Sequence, residues 1–153
     1  MRALFAAHRL PAHRVENEVA ARLLRQRRLR DEEFPLELTA IIDEAALRKL
    51  VGGAEVTRGQ LRHLVECAAL PTVSIQVLSD AAGAHTGTSG AYIVLSFPDG
   101  DPALLYVAYV TGALHIEKPE ELDQARLMFD QLRSEALSPS ESVALIERLA
   151  GEL

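Results

Sequence analysis

Apolar residues recur along the chain with two different periods, and the change from one to the other marks out its elements. Between residues 12 and 29, Val15, Val19, Ala20, Leu23 and Leu24 fall at helical spacing with arginines between them. That stripe predicts an amphipathic helix with its arginines outside. Pro11 suits the position that opens it, and residues 2–9 read as a short helical stub ahead of it. At residues 36–43 the pattern turns to alternation, Leu36, Leu38 and Ala40 against Glu37 and Thr39, which predicts a strand. Residues 44–50 predict a short helix broken by Gly52-Gly53. Residues 54–69 predict a second helix with Leu61, Leu64, Val65 and Ala68 inward, and Pro71 lies just beyond its end, as a stop signal should.

Residues 72–78 alternate again, with Val73, Ile75 and Val77 on one face. Two strands joined through helices within one sheet imply a right-handed parallel crossover. The segment 79–90 is small and glycine-rich and reads as loop. Strands follow at 91–97, 103–110 and 113–117. The turns Pro98-Asp99-Gly100-Asp101-Pro102 and Thr111-Gly112 make them an antiparallel meander. Pro119, with Glu120 and Glu121 in the first turn, opens a helix to about residue 136. Ser138-Pro139-Ser140-Glu141 is a capping box for a last helix ending near residue 150. The expected fold is α+β: a five-stranded mixed sheet over residues 36–117, built from one right-handed βαβ crossover and a meander. Helices cover one face, two of them from 119–150, and the N-terminal amphipathic helix lies in a basic arm at 1–30. Length, at 153 residues, suits a single domain.

Charge divides the chain unevenly. The net charge is -6. Residues 1–30 nevertheless hold eight arginines against Glu16 and Glu18, a balance of +6, while residues 31–153 balance at -12. A basic arm on an acidic body can grip an acidic partner or nucleic acid, or it can fold back on the body or form a solvated helix face. The pattern has no helix-turn-helix, no interleaved aromatics and no Trp, which argues against duplex DNA as a direct partner. One cysteine, Cys67, allows no internal disulfide and fits a reducing cytoplasm. No stretch has the length of a membrane helix, and no Cys/His spacing suits a structural zinc.

Candidate polar groups fall in several places. Asp43 and Glu44 end the first strand, where a carboxylate can cap the next helix or line a site. His85 sits in the glycine-rich loop, which can close over a ligand. Parallel strands place their C-terminal ends on one edge, so Glu44 and the 79–90 loop are expected to meet. Alternation collects Glu37, Thr39, Ser74, Gln76, Ser96, His115 and Glu117 on a polar sheet face, which is either solvated or the floor of a wet pocket. Tyr92 and Tyr106 share a face if the register allows, as a packing pair or as pocket lining. His63 and Cys67, four apart, face the same way on one helix; the pair reads as core packing or as a thiol–imidazole nucleophile. No catalytic motif, cofactor fingerprint or metal cluster stands out, so no catalytic residue is assigned and no cofactor is expected.

The blocks Ile42-Asp43-Glu44-Ala45-Ala46-Leu47-Arg48, Val51-Gly52-Gly53 and Gln60-Leu61-Arg62-His63-Leu64 resemble the domain of unknown function that follows the helix-turn-helix in WhiJ-like actinobacterial regulators. So do Pro71-x-Val73-x-Ile75-Gln76-Val77-Leu78, Ala82-Gly83-Ala84-His85-x-Gly87-x-x-Gly90 and Leu137-Ser138-Pro139-x-Glu141-Ser142. The resemblance covers nearly the whole chain and implies an antitoxin-like regulator acting with a small protein partner or a small-molecule ligand. It names no reaction. Two departures stand out. The chain begins near the tail of the segment that joins the family's DNA-binding half to this region, at Arg2-Ala3-Leu4, so it resembles either a trimmed or a free-standing form. Where the family often carries a glutamate after a Tyr-Val or Tyr-Leu pair, Tyr106-Val107 is followed by Ala108. The leading expectation is therefore a regulatory binding domain with Glu44, Gln76, His85, Tyr92, Tyr106 and His115 as its ligand-binding groups. The alternatives are a stand-alone enzyme of secondary metabolism using the inherited pocket, and a structural domain that forms a homodimer.

Overall fold

The computed structural model describes residues 11–98 and 100–153. The stub expected at 2–9 lies outside them. The chain falls into two compact units. One comprises the residues up to Asp80 together with Leu137–Leu153, and the other is Ala81–Ala136.

In the first unit, α1 (Ala12–Arg27) leads through a single 3-10 turn, Arg28–Arg30, to β1 (Leu38–Asp43). Asp43 closes the strand and caps α2 (Glu44–Arg48), its carboxylate accepting from the Ala45 amide at 2.8 Å. The turn after α2 contains Gly52 and Gly53 at φ 86° and 93°, values that a side chain disfavours. Next come α3 (Ala54–Ala68) and β2 (Val73–Leu78). β1 and β2 pair in parallel, Leu38 opposite Val73 through Asp43 opposite Leu78, so the strand–helices–strand unit read from the sequence is present. Leu61, Val77 and Ile146 form the centre of the core, with Leu47, Ile75 and Leu149 around them. Each such burial contributes roughly 1.5–3 kcal/mol. Ile146 and Leu149 come from α5 (Pro139–Gly151), which starts at the capping box: the Glu141 amide donates to Ser138 Oγ, and the Ser138 amide donates to Glu141 Oε2.

The second unit holds β3 (Ile93–Leu95), β4 (Leu104–Tyr109), β5 (Gly112–Ile116) and α4 (Pro119–Glu135). The three strands form the expected antiparallel meander. Leu105, Leu122 and Ala125 are its buried centre, flanked by Tyr92, Val94, Val107 and Ile116.

The expectation of one five-stranded mixed sheet is wrong. There are two sheets, a parallel pair β1–β2 and an antiparallel trio β3–β4–β5. The reason lies at Val77, whose backbone is occupied by groups far along the chain. The Val77 amide donates to Ser142 Oγ at 2.9 Å, and its carbonyl accepts from the Leu137 amide at 3.0 Å. Gln76 Nε2 adds a bond to the Leu137 carbonyl at 2.9 Å. Residues 137–142 thus take up the Val77 groups that a further strand beside β2 would need, and backbone groups already paired offer no ladder. With the sheet divided, the expected single helix-covered face does not exist either.

Candidate functional site

Glu44 is where the sequence places it, at the C-terminal end of β1, and it is 6% exposed. Its Oε1 accepts from Arg48 Nε at 3.0 Å and Nη2 at 2.5 Å. Its Oε2 accepts from the Asp80 amide at 3.1 Å, so the strand edge and the beginning of the 79–90 segment do meet here. The Arg48 guanidinium holds the Glu44 carboxyl below its usual range, the Asp80 amide and the Ser79 side chain add to this, and burial opposes it. Arg48 also lies 4.0 Å from both Asp80 and Glu152. This carboxylate has several partners within the protein and ties α2 to the exit of β2. Gln76 is likewise buried and held by the Leu137 carbonyl, so its place on the sheet is part of the packing rather than a wet floor.

The other four groups lie in the second unit. His85 precedes a 3-10 turn, Thr86–Ser89, and its carbonyl accepts from the Thr88 hydroxyl at 2.9 Å. Its imidazole lies over Gly87, where a Cβ would come within 3.0 Å of Nδ1. Tyr92 donates its hydroxyl to the Ala125 carbonyl at 3.1 Å, and burial pushes the phenol's pKa up. Ile93 pairs with Tyr106, so by alternation Tyr92 points to the face opposite Tyr106 and the two tyrosines do not form a pair. Tyr106 instead opposes His115 across β4 and β5, with ring centroids 5.4 Å apart.

Cys67 Sγ and His63 Nε2 are 3.6 Å apart, and His63 Nδ1 is 3.6 Å from Glu66. The thiol belongs to the buried core with Leu61 and Val73, which is the packing role. Among the described residues no group of three or more His, Cys, Asp or Glu is placed to hold a metal ion. No described helix is long and apolar enough to cross a membrane.

A concavity lies elsewhere in the first unit, a cleft of about 510 Å³ lined from α1, α2 and α3. Volumes of roughly 300–1,000 Å³ are usual for small-molecule clefts. Leu47, Val51, Val56 and Leu61 supply apolar wall, and Arg22, Arg25 and Lys49 supply charge. Thr57 also lines it. That residue is 7% exposed, and its hydroxyl has no hydrogen-bond partner among the described residues. Leaving such a group unpaired costs about 1–3 kcal/mol. Helix α1 does not close the cleft with its apolar stripe: Val19 is buried, but Leu23 and Leu24 stay 47% and 64% exposed.

The sequence pattern does not single out Arg25, Lys49, Val56 or Thr57. It does carry one signal. Thr57 precedes Leu61, Leu64 and Ala68 at helical spacing, so a polar residue occupies an inward slot.

The fold and cleft define an α+β chain of two small sheets with a cation-bearing, partly apolar concavity in its N-terminal half. The domain of unknown function DUF5753 matches residues 1–148, and the chain belongs to that family. No curated protein and no solved structure matches it.

Proposed function

We propose that the chain is a regulatory binding domain that takes a small molecule in the cleft between α1, α2 and α3. The observation that carries this reading is the cleft itself, whose volume suits a small molecule and whose wall joins Val51 and Val56 to Arg25 and Lys49. The resemblance to the C-terminal region of WhiJ-like actinobacterial regulators supports a role in sensing, carried out in the cytoplasm. On this reading Glu44 and Gln76 are structural.

The test is a thermal-melting screen with small molecules of mixed charge, run on the parent and on Val56→Trp, which fills the cleft. Some ligand class is expected to raise the parent melting temperature and to lose its effect in the variant. A library that moves nothing, or hits that act equally on the filled cleft, would overturn the reading.

A further inference from the structure

Resting on that reading, we infer that the cleft selects an anionic amphiphile: an oxyanion head group on an apolar body. Charge is the first ground for this. The chain carries a net charge of -6, yet the described residues lining the cleft include Arg22, Arg25 and Lys49 and no carboxylate. Among the described residues neither Arg25 nor Lys49 has an ion-pair partner, whereas Arg28, Arg48, Arg58 and Arg126 each reach a carboxylate. On an acidic body, two cations without a carboxylate partner on one concave wall create a local positive field directed at a ligand of opposite charge.

The rest of the lining sets the other half of the ligand. Val51 and Val56 are 42% and 49% exposed, and Leu47 and Leu61 continue the apolar wall into the core. A small inorganic ion would leave that wall wet, and a neutral hydrocarbon would leave the cations unused. An aliphatic or aromatic carboxylate or phosphate ester satisfies both. A guanidinium binds two oxygens of such a head in a fork, and an ammonium binds as a point charge.

The experiment compares four ten-carbon probes by titration calorimetry below their micelle concentrations: decanoate, decyl phosphate, 1-decanol and decyltrimethylammonium. The two anions are expected to bind at least about ten-fold more tightly than decanol, and the cation not to bind. Whichever anion binds more tightly distinguishes a carboxylate from a phosphate ester. Arg25→Gln with Lys49→Gln is expected to remove that ten-fold advantage and leave decanol unchanged. Val56→Trp, or Gln60→Trp where the first variant melts early, is expected to block all binding. Equal affinity for decanol and decanoate, both blocked by the filling variant, would overturn the anion inference and leave the binding reading standing. So would anion binding indifferent to the Arg25 and Lys49 changes, or cleft ligands that include none of these amphiphiles. Failure of every probe and of the mixed library together would overturn both.

Discussion

Glu44 and Arg48 face each other one turn apart on α2, and a single carboxylate oxygen of Glu44 receives both Nε and Nη2 of the guanidinium. The second oxygen takes the Asp80 amide, so this pair joins the end of β1 to the end of β2. Glu44→Gln should therefore lower stability by about 1–2 kcal/mol, the lower part of the range for hydrogen bonds to charged groups because Arg48 is half exposed. It should also alter the acid limb. The Glu44 carboxyl titrates below its ordinary value of 4.5 when folded. The stabilisation it provides is complete above that value and is lost as pH falls through the folded pKa. Chemical denaturation at pH 7 and at stepwise lower pH, parent against variant, checks this. The stability gap should be constant near neutrality and shrink in acid. A gap that widens as pH falls would show that the carboxylate is not the stabilising form.

The chain by itself should not select a duplex DNA sequence. Arginines cluster on α1, but Arg22 and Arg25 line the cleft, and the body beyond residue 30 is strongly acidic. Fluorescence anisotropy at about 0.15 M salt, where weak phosphate contacts are already screened, should give no sequence preference. Sequence-selective binding tighter than about micromolar would contradict the expectation.

Much of the secondary structure is legible in the sequence because it follows from local periodicity. The alternation at Val73, Ile75 and Val77 and the capping box at Ser138 and Glu141 both appear in the fold. The division of the sheet is not legible, because it depends on bonds between Val77 and residues 137 and 142, which no local pattern encodes. Tyr92 and Tyr106 fail as a pair for a related reason: alternation fixes a face only once the register is known, and Ile93, not Tyr92, stands opposite Tyr106. At α1 the apolar stripe correctly predicts a helix, yet the stripe is not fully inward. Periodicity identifies which residues share a face, not whether a neighbour covers that face, and the exposed Leu23 and Leu24 show the difference. Position at a strand end makes Glu44 a candidate ligand group. The same position also suits a structural anchor, and donors from Arg48 and Asp80 occupy both of its oxygens.

Two glycines on one short segment, Gly53 and Gly59, should respond in opposite ways to the same added methyl. Gly53 precedes α3 at φ 93° and ψ 170°, and a Cβ placed there would touch nothing within 4 Å. Gly59 lies exposed inside the same helix, and a Cβ there would also meet nothing within 4 Å. Collision is thus removed as a cause at both sites, and only the backbone differs. At Gly53 an alanine must hold a conformation that side chains rarely adopt, at a cost of about 1–3 kcal/mol. At Gly59 it removes freedom from the unfolded chain and suits the helix, stabilising by about 0.5–1 kcal/mol. Urea denaturation of Gly53→Ala and Gly59→Ala should displace the midpoint in opposite directions. Should Gly53→Ala match the parent, the turn between α2 and α3 relaxes without the left-handed backbone, and the α2–α3 side of the cleft is less firmly placed than its glycines imply.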